Sequence, residues 1–114
     1  MKIGEVCLET NDVIRLAEFY KWLLNIHDDQ TDSVHQTLIA EETMLTIYND
    51  GSKKENNNRN ISLAFTVAGI DHYYTQLVDR GASIIEGPVK RPWGTINMSF
   101  YDPDGNIIYL RQFQ

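Results

Sequence analysis

The order of secondary-structure patterns is the same in the two halves of this sequence of 114 residues. In each half, an alternating stretch typical of a strand is followed by a helical stretch and then by three further strand patterns. One half of this kind would leave a face of its sheet bare, so the repeat predicts two modules around a shared core. We expect a single domain over 1–114, with modules at about 1–49 and 60–114.

The first module contains a helix pattern at 13–24, where apolar residues recur every three or four positions. Either Asn11 or Asp12 is expected to cap this helix, and Asn25 to end it in a left-handed conformation. Strands of this module are predicted at 2–10, near His27, at 34–40 and at 43–49.

The second module has a helix pattern at 71–80, which Gly81 is expected to end. The tetrad at 102–105, Asp-Pro-Asp-Gly, predicts a tight hairpin turn in which Gly105 takes a positive φ. Strands are predicted at 60–67, 83–86, 95–101 and 106–113, with a loop at 87–94. The wholly polar stretch 50–59 predicts a flexible loop between the modules.

Charge and cysteine content exclude several classes of protein. The net charge of −6 argues against a nucleic-acid partner and mildly favours a cationic ligand. The single cysteine excludes an intrachain disulfide and a cysteine-based zinc site. No apolar run approaches the roughly 20 residues that span a bilayer, and no signal segment opens the chain. We therefore expect a cytoplasmic protein without a membrane partner.

Several motifs, taken in order, resemble those of the vicinal oxygen chelate superfamily, the group of glyoxalases, bleomycin-resistance proteins and extradiol dioxygenases. They lie at 5–8 (EVCL), 11–13 (NDV), 18–25 (EFYKWLLN), 62–67 (SLAFTV), 70–71, 77–82, 92–94 (PWG) and 102–106 (DPDGN). The resemblance implies an α+β fold in which two βαβββ modules form a curved mixed sheet, or cup, with the helices on its convex face. It also implies a homodimer.

Metal-dependent members of that superfamily hold a divalent cation in the cup, and the resemblance implies where the ligands would lie. The matching positions here are Glu5, Ser62 and Tyr109, with a fourth near Thr46 or Tyr48. Hydroxyl and phenol groups are poor ligands beside imidazole or carboxylate, and a catalytic metal usually needs about three protein ligands. We therefore expect no metal site in the superfamily's place and no cofactor.

The histidines and the cysteine suggest no other catalytic centre. His27, His35 and His72 are not at metal-ligand spacing, although His35 is a candidate to face the cup as an acid or base. A reactive thiol needs a lowered pKa, whereas Glu5 and Glu9 flank Cys7, so Cys7 is interpreted as a wall residue. No catalytic residue is assigned.

Strand alternation predicts which residues line the cup, because successive side chains point to opposite faces. The larger aliphatic residues are expected under the helices, and the other face mixes aromatic, small and polar residues, as small-molecule pockets do. The predicted ligand-binding residues are Glu5, Cys7, Met44, Thr46, Tyr48, Ser62, Ala64, Trp93, Asn97, Tyr101, Tyr109 and Arg111. A solvated sheet face, or one covered by a partner subunit, is the alternative.

Three functions follow from these features. The first is a non-catalytic small-molecule-binding protein of the glyoxalase/bleomycin-resistance type, with a cationic or aromatic ligand. The second is a divalent-metal-dependent lyase, isomerase or dioxygenase whose metal ligands have moved. The third is a regulatory or structural module that acts through its dimer surface.

Overall fold

The computed structural model describes residues 1–56 and 60–114, which divide into two compact units, Met1–Glu55 (unit 1) and Asn56–Gln114 (unit 2). Each unit contains one helix and one mixed sheet, with three strands in unit 1 and four in unit 2. The predicted α+β class is therefore confirmed. Residues 57–59 of the predicted polar loop lie outside the described residues.

Unit 1 consists of four elements in the order strand, helix, strand, strand. They are β1 (Glu5–Glu9), α1 (Val13–Leu23), β2 (His35–Ile39) and β3 (Met44–Tyr48). The central strand β3 is parallel to β1 and antiparallel to β2. The predicted limits of α1 are confirmed, since the Asp12 carboxylate accepts a hydrogen bond from the Arg15 amide at 3.1 Å and Asn25 has a φ of 55°.

The strand predicted near His27 is wrong, because within residues 1–56 no strand forms beside the outer edge of β2. The side chain of Gln30 takes its place. Its amide nitrogen donates to the Thr37 carbonyl at 3.0 Å, and its carbonyl oxygen accepts from the Thr37 amide at 3.3 Å. One side chain thus satisfies two backbone groups that an outer strand would otherwise bond.

The described part of the polar loop is attached to the start of α1. The Asn11 side chain donates to the Lys54 carbonyl at 2.8 Å and accepts from the Lys54 amide at 2.7 Å. The Lys54 ammonium also pairs with Asp50, and this hydrogen bond, with those from Ser52, lowers the pKa of the Asp50 carboxyl. Asn11 therefore anchors the loop, while Asp12 alone caps the helix.

Unit 2 contains one helix and four strands. They are β4 (Leu63–Thr66), α2 (Ile70–Asp79), β5 (Ser83–Lys90), β6 (Thr95–Tyr101) and β7 (Ile107–Phe113). The sheet order is β4-β7-β6-β5, in which β4 is parallel to β7 and the other pairs are antiparallel. Gly81, with a φ of 82°, follows α2 as predicted.

Two boundaries in unit 2 differ from the prediction. Strand β5 continues to Lys90, so half of the loop predicted at 87–94 is strand. Its pairing with β6 is irregular between Glu86 and Val89, around Pro88, which has no amide hydrogen to donate. Strand β4 begins only at Leu63, so Ser62 lies before the strand in which it was expected.

The larger apolar residues of both sheets are buried under the helices as predicted, but burial does not alternate in the central strands, since Thr46 and Ser99 on the other face are buried too. Helix α1 packs on β2 and β3, and α2 packs on β5, β6 and β7. The buried apolar strand residues are Leu38, Leu45 and Ile47 in unit 1 and Met98, Phe100, Ile108 and Leu110 in unit 2. Burial of each such side chain contributes about 1.5–3 kcal/mol relative to exposure. The opposite face of each sheet remains for polar and aromatic side chains.

The hairpin turn between β6 and β7 forms as predicted, and a buried carboxylate organises it. Asp102 accepts hydrogen bonds from the Asp104 amide at 2.9 Å, the Asn106 amide at 2.9 Å and the Asn106 side chain at 2.8 Å. Gly105 has a φ of 81°. Among the described residues, neither helix is long and apolar enough to cross a membrane.

Candidate functional site

Two rows of side chains cross all four strands of unit 2 on the face opposite α2. The first row is Ala64, Tyr109, Ser99 and Glu86, and the second is Thr66, Arg111, Asn97 and Val89. Neighbours in such a row stand roughly 4.5–5.5 Å apart at their Cβ atoms, so their side chains interact directly. The rows therefore form a continuous surface of mixed polarity across the sheet.

A pocket of about 330 Å³ opens on this surface. Its lining combines residues of the two rows with two residues of the turn between β5 and β6. The lining residues are Glu86, Arg91, Trp93, Asn97, Met98, Ser99 and Tyr109. All of them belong to unit 2, so the pocket is built from one unit.

The turn at 91–94 positions Arg91 and Trp93 at the pocket. The Arg91 amide donates to the Thr95 carbonyl at 2.7 Å, and the Gly94 amide donates to the Arg91 carbonyl at 3.2 Å. Gly94 has a φ of 95°, a conformation that favours glycine. The turn holds the Arg91 guanidinium carbon 6.0 Å from the centre of the Trp93 ring, within the range of a cation–π interaction.

The charged groups of the pocket are Glu86 and Arg91, which form an ion pair. Both side chains are partly solvated, at 49% and 32% exposure. Exposed pairs of this kind contribute only about 0–1 kcal/mol, because solvent screens them and their side chains lose freedom. The pair is therefore weak enough for a third charged group to compete with it.

Polar groups without protein partners also face the pocket. The Asn97 carbonyl oxygen accepts from the Thr95 hydroxyl at 2.6 Å, and this contact leaves the Asn97 amide nitrogen available. Ser99 is 5% exposed, and its hydroxyl makes no hydrogen bond with the described residues. The Tyr109 phenol likewise has no bonded partner in that part of the chain. These groups are therefore available to hydrogen-bond a ligand or water in the pocket.

The predicted site residues of unit 2 fall into three sets. Trp93, Asn97 and Tyr109 line the pocket. Ala64, Tyr101 and Arg111 occupy the same sheet face without lining it, and the Arg111 guanidinium donates to the Thr66 hydroxyl at 2.9 Å. Ser62 precedes β4 and belongs to neither set. Ligand binding at all of these residues stays a prediction.

The predicted site residues of unit 1 share one face of its own sheet. Glu5, Cys7, Met44, Thr46 and Tyr48 occupy paired positions on β1 and β3. His35 is paired with Tyr48, and their ring centres are 5.8 Å apart, so His35 faces the same way. Thr46 is 2% exposed, and its hydroxyl has no hydrogen-bond partner among the described residues.

The free thiol of Cys7 is exposed on that face, and its environment disfavours the thiolate. Partial burial, followed by the charges of Glu5 and Glu9, raises the pKa of the Cys7 thiol. A thiol with a raised pKa is a poor nucleophile at neutral pH. This agrees with the interpretation of Cys7 as a wall residue.

The donors at the positions implied for a metal do not fit a divalent cation. Glu5 supplies one carboxylate, whereas Ser62 and Tyr109 supply a hydroxyl and a phenol, which bind such ions weakly. Elsewhere in residues 1–56 and 60–114, no group of three or more His, Cys, Asp or Glu side chains is arranged to hold a metal.

Four pocket residues lie outside the predicted ligand-binding set: Glu86, Arg91, Met98 and Ser99. Glu86 and Arg91 were missed because β5 was expected to end at Glu86. The residues after it were therefore treated as a loop, and no sheet face was assigned to them. Met98 was placed on the buried face, where it is fully buried, and it also borders the pocket between Asn97 and Ser99. The Pro92-Trp93-Gly94 motif next to Arg91 was the available signal for this corner of the site.

Comparison with known proteins identifies the class to which this fold belongs. The model of the Glyoxalase/Bleomycin resistance protein/Dioxygenase superfamily matches residues 2–110. The chain therefore belongs to this superfamily, which confirms the resemblance seen in the sequence. A search of curated proteins finds no match.

Solved structures share the fold over nearly the whole chain. An integron cassette protein from the mobile metagenome of V. cholerae has 25% identity and a TM-score of 0.75, over 100% of this chain and 98% of its own. A virulence protein of Salmonella typhimurium has 23% identity and a TM-score of 0.76, with the same coverage. A glyoxalase/dioxygenase of Nostoc punctiforme has 22% identity and a TM-score of 0.78, over 99% and 91%.

Proposed function

We propose that this protein binds a small aromatic molecule in the pocket of unit 2, without catalysis and without the metal site of its superfamily. The observation that carries this proposal is the pairing of two partly exposed rings, Trp93 and Tyr109, around unpartnered polar groups. Pockets for small molecules combine apolar walls with a few polar groups that orient the ligand.

The exposure of the rings supports the proposal further. Trp93 is 67% exposed and Tyr109 is 36% exposed, although large aromatic side chains usually bury most of their surface. A planar ligand between or beside them would remove this apolar surface from water at about 25 cal/mol per Å². The volume of about 330 Å³ lies at the small end of the range for ligand sites, so we expect a ligand of one or two rings.

The cationic ligand expected from the net charge remains a prediction, but the charge is unevenly distributed. Unit 1 contains eleven acidic and five basic residues, whereas unit 2 contains five of each. The excess of acidic residues that favoured a cationic ligand thus lies in unit 1, whereas the pocket lies in unit 2, which has no net charge. Aromatic character is therefore the better supported property of the ligand.

The homodimer and the cytoplasmic location are proposed as well. Each sheet has open edge strands, and association with a second copy is a common way to cover them. Light scattering at micromolar concentration would give twice the chain mass for a dimer. An exposed free thiol at Cys7 suits a reducing compartment.

Fluorescence of a single tryptophan tests the proposed function. The chain has two tryptophans, so Trp22→Phe leaves Trp93 as the only indole. Titration with one- and two-ring compounds should change the Trp93 emission saturably, and Tyr109→Glu should weaken the effect because it places a charge beside the ring. Saturable binding that leaves Trp93 emission unchanged, or none from a folded protein, would contradict the proposal.

Metal content distinguishes the alternative function. Protein dialysed against Mn²⁺, Ni²⁺, Zn²⁺ or Fe²⁺ and then against buffer should retain less than one ion per chain. Stoichiometric retention with acquired activity would favour a metal-dependent lyase, isomerase or dioxygenase instead.

A further inference from the structure

We infer that the ligand of the unit 2 pocket carries an anionic oxygen group, such as a carboxylate, on its aromatic ring, and that Arg91 binds this group. The inference rests on the proposed function, because it names the class of ligand for the same pocket. It makes Arg91 the residue that sets the charge preference of the site.

The hydrogen-bonding groups of the pocket are mostly donors. Arg91 has a guanidinium with several N–H groups, Asn97 has its amide nitrogen, and Ser99 and Tyr109 have hydroxyls. The only carboxylate among the lining residues is Glu86, which is already bonded to Arg91. A ligand that supplies acceptors can bond to every one of these four groups, and a carboxylate supplies about four acceptor positions.

The Ser99 hydroxyl lies beside the Asn97 amide in this set. Ser99 as a residue is 5% exposed and lines the pocket, and its hydroxyl has no hydrogen-bond partner among the described residues. Asn97 and Ser99 are both on β6, two residues apart and on the same face, so both reach the same side of the pocket. An acceptor between them would satisfy both groups.

The ion pair between Arg91 and Glu86 allows a ligand to bind Arg91. The guanidinium uses one of its N–H groups for Glu86, and the pair is partly solvated. A ligand carboxylate can therefore replace or join Glu86 at little cost, since exposed ion pairs contribute little. The same carboxylate would not find a comparable cation on β5, where Lys90 points to the other face.

The position of Arg91 also explains why the anion and the ring would belong to one molecule. The guanidinium lies against the Trp93 indole, at 6.0 Å from the ring centre. A carboxylate bound at Arg91 places its attached ring beside Trp93 and in reach of Tyr109, which line the same pocket. Offset or edge-to-face contacts between aromatic rings add to area burial.

Three matched naphthalenes test the inference by isothermal titration calorimetry. They are 2-naphthoate, 2-naphthamide and 2-naphthylmethylammonium, which share a ring system and differ in charge. We expect 2-naphthoate to bind about tenfold more tightly than the amide, as a charge-assisted hydrogen bond implies. Arg91→Gln should remove this preference, whereas Lys90→Gln, which removes the same charge from the neighbouring residue, should keep it.

Glu86→Gln tests the direction in which the affinity for charged compounds changes. Loss of the competing carboxylate should raise the affinity for 2-naphthoate severalfold and lower that for the ammonium compound. Equal affinity for all three compounds, or tighter binding of the ammonium compound, would overturn the inference and leave the proposed function standing. The inference would also be overturned if the naphthoate preference survived Arg91→Gln. An absence of heat from all three compounds would contradict both.

Discussion

Both units of this chain begin with a strand and a helix, but two strands follow the helix in unit 1 and three follow it in unit 2. Unit 1 carries the whole net charge of the protein, and its sheet has three strands, with the side chain of Gln30 bonded to Thr37 at the β2 edge. Unit 2 is neutral, has four strands and carries a pocket at the turn between β5 and β6. The extra strand matters because β5 supplies Glu86 and leads into Arg91 and Trp93.

The helices of the two units also depend on different parts of the chain. Asp12, directly before α1, caps that helix with its own side chain. At α2 the cap position is Gly69, and Gln112 of β7 accepts hydrogen bonds from the Gly69 and Ile70 amides, both at 2.8 Å. The start of α1 is therefore local, whereas the start of α2 depends on the strand that also carries Tyr109.

The largest expected effect tests whether the unit 2 sheet has one buried and one free face. Phe100 is fully buried and the adjacent Tyr101 is 36% exposed. Phe100→Ala should lower the free energy of unfolding by about 3–5 kcal/mol, and Tyr101→Ala by about 1 kcal/mol or less. Urea denaturation measures both, and similar losses would show that the second face is also part of a core.

An intermediate effect compares the two helix caps. Asp12→Ala and Gln112→Ala should each cost about 0.5–2 kcal/mol, because each leaves helix amide groups without an acceptor. Gln112→Glu, unlike Gln112→Ala, should keep the stability of the wild type, since a carboxylate accepts the same hydrogen bonds and is favoured at a helix N-terminus. A Gln112→Ala protein as stable as the wild type would remove the proposed link between β7 and α2.

The smallest expected effect is a loss of folding stability at low pH, which should come from two carboxyl groups of unit 1. The hydrogen bond from Lys21, followed by that from Gln30, lowers the pKa of the Asp28 carboxyl, and backbone hydrogen bonds from Val34 and His35 lower that of Asp32. A lowered pKa in the folded state contributes stability above the ordinary value of about 3.9, and this is lost as the pH falls through the lowered value.

Asp28→Asn should therefore lower the denaturation midpoint slightly at pH 7 and not at a pH where the wild-type carboxyl is protonated. Asp29→Asn, at the next residue, serves as the control because Asp29 forms no ion pair with the described residues. An equal effect of Asp28→Asn at both pH values would assign the loss to packing rather than to charge.

The sequence predicted those parts of the fold whose signals are local. The limits of α1, the turn at 102–105 and the alternation on β7 follow from caps, turn residues and period, and each forms as expected. The strand expected near His27 failed because a side chain from Gln30 satisfies the edge of β2, a contact that no local pattern reports.

The candidate site was predictable only in part for the same reason. Trp93, Asn97 and Tyr109 follow from motif and alternation, whereas Glu86 and Arg91 depend on the irregular pairing of β5 around Pro88. Irregular pairing shifts the register, and a shift of one residue moves a side chain to the other face. The periodicity of the sequence therefore could not predict that Glu86 and Arg91 lie at the pocket.

The central claim, that the binding face lies on unit 2, is tested most directly by a ¹H–¹⁵N NMR titration with 2-naphthoate. The account predicts saturable shifts of the Trp93 indole N–H and the Asn97 side-chain amide, with the backbone amides of Cys7 and Tyr48 unchanged. Shifts confined to Cys7 and Tyr48, or none at Trp93 and Asn97 at saturating ligand, would contradict it.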